Sequence, residues 1–285
     1  MTNASPPPAR PARWRARILP AIVALLLGAC ASTSPSGRSQ VTAPEMVSSL
    51  YSAIDLKLTL SAAPAIANAC AGIQCEIDKG FERQVVRLGE RLAAAAYAAD
   101  PELDRRVPQF HFIVAEKSSG GSSSDAGGTI VIYRGVRSAR MDEVALAYLI
   151  AGEMGHVIAR HHDEKSAGRI ISSLLAQVLL APVNLAPLVS FLASTTASSL
   201  GKDLVATGSV TDKRNEADLI ALGLLARLGW SEAEVAESLL DYSYRLDDGP
   251  WSLDVRQAAA RLVQIAPVDD MAPAHAGRTS AGRSS

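Results

Sequence analysis

The sequence has few cysteines and no surplus of positive charge. Three cysteines occur in 285 residues, and 28 lysines and arginines stand against 29 aspartates and glutamates, which gives a net charge of −1. Proteins that bind nucleic acid usually carry basic patches, so we expect no nucleic-acid partner. Hydrophobic residues make up 48% of the chain and charged residues 20%, a composition typical of a globular domain.

The first 29 residues contain no acidic side chain and four arginines, which precede an apolar run from Ile18 to Leu27. The run is too short for a transmembrane helix, which needs about 20 apolar residues. A basic start, a short apolar run and small residues before a cleavage point are typical of a secretory signal peptide, here residues 1–29. The residues Leu27 to Cys30, L-G-A-C, also resemble the bacterial lipobox, which implies that Cys30 is diacylated after cleavage. The alternative is an ordinary signal peptide with an incidental cysteine.

A lipidated Cys30 would hold the protein at a membrane, because acyl chains contribute about 0.8 kcal/mol for each buried CH₂. Ala31 follows the cysteine, where an Asp would be the retention signal of the inner membrane. The resemblance therefore implies an outer-membrane lipoprotein that faces the periplasm. Residues 31–43 are rich in Ser, Thr, Pro, Gly and Gln, so residues 30–43 are predicted to form a flexible lipidated tether.

The other two cysteines, Cys70 and Cys75, lie close together in the sequence. An exported protein lies in an oxidising compartment, where a disulfide between them is favoured. The alternative is a zinc site, which the spacing supports poorly because no second pair of cysteines is nearby.

Apolar spacing divides the remaining chain into helices and short strands. The first helix, residues 44–62, carries Met46, Leu50, Ile54 and Leu58 on one stripe. The predicted elements are helices over 44–62 and 76–99, strands over 109–114 and 129–133 around a Gly- and Ser-rich loop at 118–128, a long helix over 142–162, and helices over 215–228, 232–244 and 254–264. They predict a mainly helical α+β fold, followed by a disordered tail at 268–285.

One segment lacks charge altogether. Residues 170–201 contain no charged side chain, and Pro182, Asn184 and Pro187 interrupt the apolar run. A single spanning helix would need that run unbroken. We expect an apolar helical hairpin, which either packs into the core or touches a membrane or partner.

The long helix contains the segment Gly152–His156, which reads G-E-M-G-H. In the zincin motif H-E-x-x-H, two histidines at i and i+4 bind zinc, and the Glu acts as general base. Here Glu153 and His156 occupy the last two functional positions, but Gly152 stands where the first histidine would be. About 55 residues later comes Asn215–Gly223, N-E-A-D-L-I-A-L-G, followed by a Gly-Trp pair.

The order of strand, Gly-rich loop, strand, motif helix and E-A-D helix resembles the M-48 family of zinc metallopeptidases, the gluzincins that include HtpX, and within it the periplasmic lipoprotein type. The resemblance covers residues 75–262. It implies a zincin-like metallopeptidase domain over residues 44–267, with a short antiparallel sheet packed on the motif helix. It also implies that Glu153 is the general base, that His156 binds zinc and that Asp218 supports the ligands.

Two ligand positions of the family depart from its pattern. Gly152 has no side chain to bind a metal, and Arg214 stands where the family has its ligand Glu. Glu216 is a doubtful substitute, because it lies about 200° around the helix from Arg214. We expect Arg214 to pair with Glu153 or Asp218 across the degenerate site, since buried carboxylates need neutralisation.

The other histidines are not predicted to be ligands. His161 and His162 match the ordinary end of the family motif and are interpreted as a solvated helix end. His111 alternates with two phenylalanines in a predicted strand and is interpreted as a surface residue.

Three functions are compatible with these features. We favour a pseudopeptidase of the cell envelope that binds a partner or peptide and needs no cofactor. The first alternative is an active zinc metalloendopeptidase for envelope proteins, with Glu153 as base and with His156 and a displaced Glu216 or a histidine on the zinc. The second is an unrelated helical lipoprotein of the envelope.

Overall fold

The computed structural model describes residues 31–61, 73–139, 141–180 and 210–265. Over these ranges the chain is mainly helical, as predicted, and it contains two small sheets. The helices are α1 (Glu45–Ser61), α2 (Ile73–Ala99), α3 (Leu103–Arg106), α4 (Glu143–Ile158), α5 (His161–Leu180), α6 (Val210–Arg227), α7 (Glu232–Tyr244) and α8 (Pro250–Ile265), with a 3₁₀ helix at Arg134–Ala139.

The three-stranded sheet is mixed, and not antiparallel as predicted. Strands β3 (His111–Ala115), β4 (Ser122–Ser124) and β5 (Thr129–Tyr133) are arranged in the order β3-β5-β4. Strand β5 runs parallel to β3 and antiparallel to β4. Strand β4 arises within the predicted Gly- and Ser-rich loop, so the chain reverses direction there before β5 begins.

Helix α4 forms the centre of the core. Its buried residues occur on every side of the helix, from Ala145 to Val157, because α2, α6, α7 and the sheet surround it. Its closest neighbour is α6, and Gly155 lies at that contact. A Cβ on Gly155 would lie only 2.6 Å from the carbonyl oxygen of Ala217. This glycine therefore sets how near the two helices that carry the candidate site can approach.

The predicted long helix is broken at Arg160. Helix α4 ends at Ile158, α5 begins at His161, and Arg160 between them has a φ of 63°. The guanidinium of Arg106 donates hydrogen bonds to the carbonyls of Val157 and Ile158, at 2.9 and 3.1 Å. These bonds satisfy carbonyls that a continued helix would have used, and the chain turns in a new direction.

The segment predicted to be a flexible tether is instead a packed hairpin. Strands β1 (Ala31–Thr33) and β2 (Ser39–Val41) pair antiparallel, and the amide of Ala43 donates to the carbonyl of Asp163 at 3.1 Å. In the turn between the strands, Arg38 forms a bidentate ion pair with Glu164 at 2.7 and 3.0 Å. Buried charged contacts of this kind explain why a polar composition still gives an ordered segment.

Helix α1 exposes its apolar side chains and buries two serines, which is the reverse of an ordinary surface helix. Its predicted apolar stripe is exposed: Met46, Leu50, Ile54 and Leu58 are 85%, 66%, 50% and 62% accessible. The opposite face buries Ser48, Ser52 and Leu56 against the domain.

Several predictions fall outside the described residues. They concern the signal peptide with Cys30, the disulfide partner Cys70, most of the charge-free segment and the C-terminal tail. Among the described helices, none is both long and apolar enough to cross a membrane.

Candidate functional site

The residues singled out by the motif meet at one cleft of about 380 Å³, bounded by α4, α6, α8 and the loop before β4. Five of its lining residues come from the predicted motif positions, namely Gly152, Glu153, His156, Arg214 and Asp218. Trp251 and Arg261 of α8 form the opposite wall. The family pattern therefore identified a set of residues that do lie together.

Glu153 is held by the edge strand of the sheet. Ser122 Oγ donates to Glu153 Oε1 at 2.8 Å, and Ser124 Oγ donates to Oε2 at 2.5 Å. Both serines lie on β4, whose residues Ser122 and Ser124 point to the same side of the strand. The carboxylate is thus fixed by two neutral hydroxyl groups and not by a cation.

His156 belongs to a chain of hydrogen bonds that continues away from the cleft. Its Nδ1 lies 2.7 Å from Nδ1 of His161, and Nε2 of His161 lies 3.1 Å from Oε2 of Glu216. A carboxylate can only accept, so His161 donates through Nε2 and accepts through Nδ1. His156 must then donate through Nδ1, and its Nε2 keeps a lone pair.

Glu216 and His161 form the buried end of this chain. Burial opposes the charge on Glu216, but hydrogen bonds from Ser34, Ser36 and His161 outweigh it and lower its pKa to about 2. Burial, with the nearby His156, lowers the pKa of His161 to about 4. At neutral pH the pair is therefore a carboxylate and a neutral imidazole.

Glu216 does not reach the position of the missing ligand. It faces the N-terminal hairpin, where Ser36 donates to Oε1 through both its amide and its hydroxyl, at 3.1 and 2.7 Å. Arg38 lies 3.2 Å from its other oxygen. Its contacts are with the hairpin and with Nε2 of His161.

The predicted pairing of Arg214 across the cleft is wrong. Arg214 instead forms an ion pair with Asp254 at 3.2 Å and donates to Gln257 at 3.3 Å, both on α8. Its side chain is 40% exposed, so solvent compensates for the loss of a buried partner. Asp218 pairs with Arg261 instead, and Glu153 is held by the hydroxyl groups of two serines.

Asp218 joins three helices behind the cleft. Tyr148 on α4 donates to Asp218 Oδ1 at 2.6 Å, and Arg261 on α8 donates to Oδ2 at 2.8 Å. Burial, followed by the charge of Asp218, raises the pKa of Tyr148 well above its usual range. These contacts tie α6 to α4 and α8, and neither Tyr148 nor Arg261 is one of the predicted ligand positions.

The residues of this cleft do not fit a catalytic zinc. Such a site needs three protein ligands and an open position. Gly152 offers none, Arg214 is a cation directed to α8, and His156 remains as the one imidazole among the three family positions. Within the described ranges, no group of three His, Cys, Asp or Glu side chains is placed to hold a metal ion.

Position 152, where the resemblance implies a ligand, is open to solvent or to a larger side chain. A Cβ built on Gly152 would meet no atom of another element within 4 Å in the described part of the chain. Gly155, one turn later, is by contrast tightly packed against Ala217. The glycine at position 152 is thus not required by packing, and a larger side chain there would project into free space.

His161 and His162 were wrongly interpreted as a solvated helix end. His161 is 6% exposed, and Nε2 of His162 lies 2.9 Å from Ser124 Oγ, which also bonds Glu153. In a continuous helix His161 would lie about 140° around the axis from His156, out of contact. The break at Arg160 brings them together, and a single helical periodicity could not reveal it. His111 is exposed, as predicted.

Acid should destabilise the fold through His162. Burial lowers the pKa of His162 to about 3, whereas an unfolded chain takes up the proton near pH 6.5. As pH falls from 6.5 towards 4, His162 should therefore take about 1.4 kcal/mol per pH unit from the free energy of unfolding, and His161, whose pKa is also lowered, should take a similar amount. Urea unfolding at pH 7, 5 and 4 measures this slope.

A His162→Gln variant should remove about half of the acid slope between pH 6.5 and 4, because His161 still contributes the rest, while His111→Gln, which changes an exposed histidine, should follow the unchanged protein. Equal slopes for all three proteins would show that His162 is not the group responsible.

No family model matches the chain, and a search of curated proteins finds no match either.

Proposed function

We propose that this protein is an envelope lipoprotein, acylated at Cys30, whose M-48-type zincin-like domain no longer hydrolyses peptides with zinc and binds a peptide or partner protein in its cleft. One observation carries the proposal. Of the three positions where the family binds zinc, only His156 offers a ligand, while Gly152 is open and Arg214 is paired with Asp254.

The zincin-like assignment is supported by the convergence of Glu153, His156 and Asp218 on one cleft beside a short sheet. An unrelated helical lipoprotein would have no reason to place them together. The resemblance thus accounts for the shape of the cleft, and the two departures account for the loss of metal chemistry.

The walls of the cleft suit an extended peptide. Strand β4 is one of the two edge strands of the three-stranded sheet in the described residues, and Gly120, Gly121 and Ser122 line the cleft. An edge of this kind can offer its backbone groups to an incoming strand. Trp251 lies close to Gly120, where a Cβ would be 2.1 Å from the indole ring, so an apolar surface adjoins the polar edge.

Casein, an unstructured protein, is a suitable probe for binding. The mature lipoprotein should bind fluorescein-labelled casein without cleaving it, and elemental analysis should find far less than one zinc per chain. Trp251→Ala should weaken binding roughly tenfold, because buried aromatic residues dominate interfaces. Tyr244→Ala removes an exposed aromatic residue outside the cleft and should leave the affinity unchanged.

Stoichiometric zinc, together with casein cleavage that Glu153→Gln abolishes, would overturn the proposal in favour of an active metalloendopeptidase. Equal binding by the unchanged protein and by Trp251→Ala would remove the cleft as the binding site.

A further inference from the structure

Helix α1 buries serines and exposes apolar side chains. On its inner face Ser48 Oγ donates to Asp163 Oδ1 at 2.5 Å, and Ser52 Oγ accepts from the amide of Ala126 at 2.9 Å. These bonds fix which side of the helix faces the domain. The outer side carries Met46, Val47, Leu50, Tyr51, Ile54 and Leu58, all exposed.

The exposed residues form one continuous stripe. At 100° per residue, the six positions fall within an arc of about 140° that runs the length of the helix, roughly 25 Å. Lys57 is the one charged residue within this arc, and a lysine can extend its ammonium past an apolar surface. A water-facing helix would carry polar residues here, so the stripe is suited to an apolar medium.

The stripe begins close to the expected lipid. Ala31, the residue after Cys30, pairs with Val41 across the N-terminal hairpin. From Val41 the four residues to Glu45, where α1 begins, span at most about 14 Å. An acyl group on Cys30 would therefore bring a bilayer within reach of the first turn of α1.

The hairpin also limits how far the domain can move from that lipid. Arg38 binds the buried carboxylates of Glu164 and Glu216, and Ala43 is bonded to Asp163 in the same helix as Glu164. The lipid attachment point is thus coupled to the folded domain without a long flexible spacer. Which side of the domain faces the bilayer is then determined by which of its surfaces is apolar.

We propose that helix α1 lies in the surface of the lipid bilayer, with its apolar stripe among the acyl chains beside the lipid of Cys30. The inference rests on the acylation of Cys30 in the proposed function. It adds an interfacial helix as a second, non-covalent membrane contact, which would orient the domain on the bilayer that the acyl chains of Cys30 already hold. Lys165 and Arg169, which pair with Asp55 of α1, border the stripe on the side of α5.

Tryptophan quenching in vesicles tests the contact. The mature lipidated protein, carrying Leu50→Trp, is reconstituted into phosphatidylcholine vesicles with and without bromine on the acyl chains. Trp at position 50 should lose most of its emission in brominated vesicles and be shielded from aqueous acrylamide. The unchanged chain, with Trp230 and Trp251, supplies the background, and Tyr244→Trp places the reporter on an exposed site of α7, which should respond to acrylamide alone.

Each other outcome overturns the inference. Quenching of position 50 by acrylamide alone would mean that α1 faces water, and protection from both quenchers would mean that protein covers it, either another part of this chain or a second copy. Mass spectrometry of the same preparation determines whether Cys30 is acylated. If it is acylated and position 50 is not quenched by lipid, the inference fails while the proposed anchor stands; if Cys30 carries no lipid, the anchor itself fails.

A second reporter separates membrane contact from local misfolding. In a Leu58→Trp protein, adding Leu50→Asp and Ile54→Asp should abolish lipid quenching, because two carboxylates would have to enter the apolar layer. Both positions are exposed, so circular dichroism should remain unchanged. Persistent lipid quenching in this variant would also overturn the inference.

Discussion

The double variant Gly152→His, Arg214→Glu should bind about one zinc per chain, because it completes a set of three protein ligands with His156. Position 152 is open to a new side chain, and His156 donates its Nδ1 proton to His161, which leaves the lone pair of Nε2 for a metal. A histidine whose other nitrogen is bonded to a supported partner is a well-oriented ligand. Elemental analysis and zinc titration of the purified protein give the stoichiometry.

The single variants are the matched controls. Gly152→His alone and Arg214→Glu alone should each hold much less zinc, since two protein ligands remain a weak site, and adding His156→Ala to the double variant should remove binding. If the double variant folds and stays free of zinc, these positions are not the ligand positions of an M-48 enzyme, and the family resemblance loses its main support.

Arg38→Ala should lower the free energy of unfolding by about 3 kcal/mol, the lower end of the range for removing one partner from a buried ion pair. The two carboxylates that it binds, Glu164 and Glu216, are each 3% exposed, whereas Arg38 itself is 16% exposed. Lys213 still pairs with Glu164 at 3.0 Å, which limits the loss. Urea unfolding at pH 7 measures the change.

Two comparisons identify the cause of this loss. Arg105→Ala removes an exposed arginine that pairs with an exposed Glu102, and it should change stability by less than about 1 kcal/mol. Adding Glu164→Gln and Glu216→Gln to Arg38→Ala should recover part of the loss, because the uncompensated charges are gone. No recovery, or an equal effect of Arg105→Ala, would contradict the role assigned to the buried carboxylates.

Local patterns in the sequence predicted most of the elements. The strand at Thr129–Tyr133 and the helix at Glu232–Tyr244 lie where they were expected, because strand alternation and helix capping depend on neighbouring residues, whereas the helix before Gly229 begins at Val210, five residues earlier than predicted. The sequence also predicted that Glu153, His156 and Asp218 belong together. That prediction came from the order of several motifs along the chain and not from any single one.

Other features depended on contacts between distant segments. The hairpin at residues 31–41 has the composition of a linker, but Arg38 finds two buried carboxylates contributed by α5 and α6. The helix break at Arg160 depends on Arg106, about 50 residues earlier, which binds the last carbonyls of α4. No local window of sequence contains both partners of these interactions.

By itself, the sequence determined which chemical groups the cleft could contain, including the glycine and the arginine at the two positions where the family resemblance implies ligands. Only the tertiary structure decided how the remaining groups are paired: Arg214 with Asp254, Glu153 with two serines, and His156 with His161 and Glu216. The physical reason is that residue identity fixes donors, acceptors and charge, whereas their partners are set by the close approach of α4 and α6 and by the turn that places His161 beside His156.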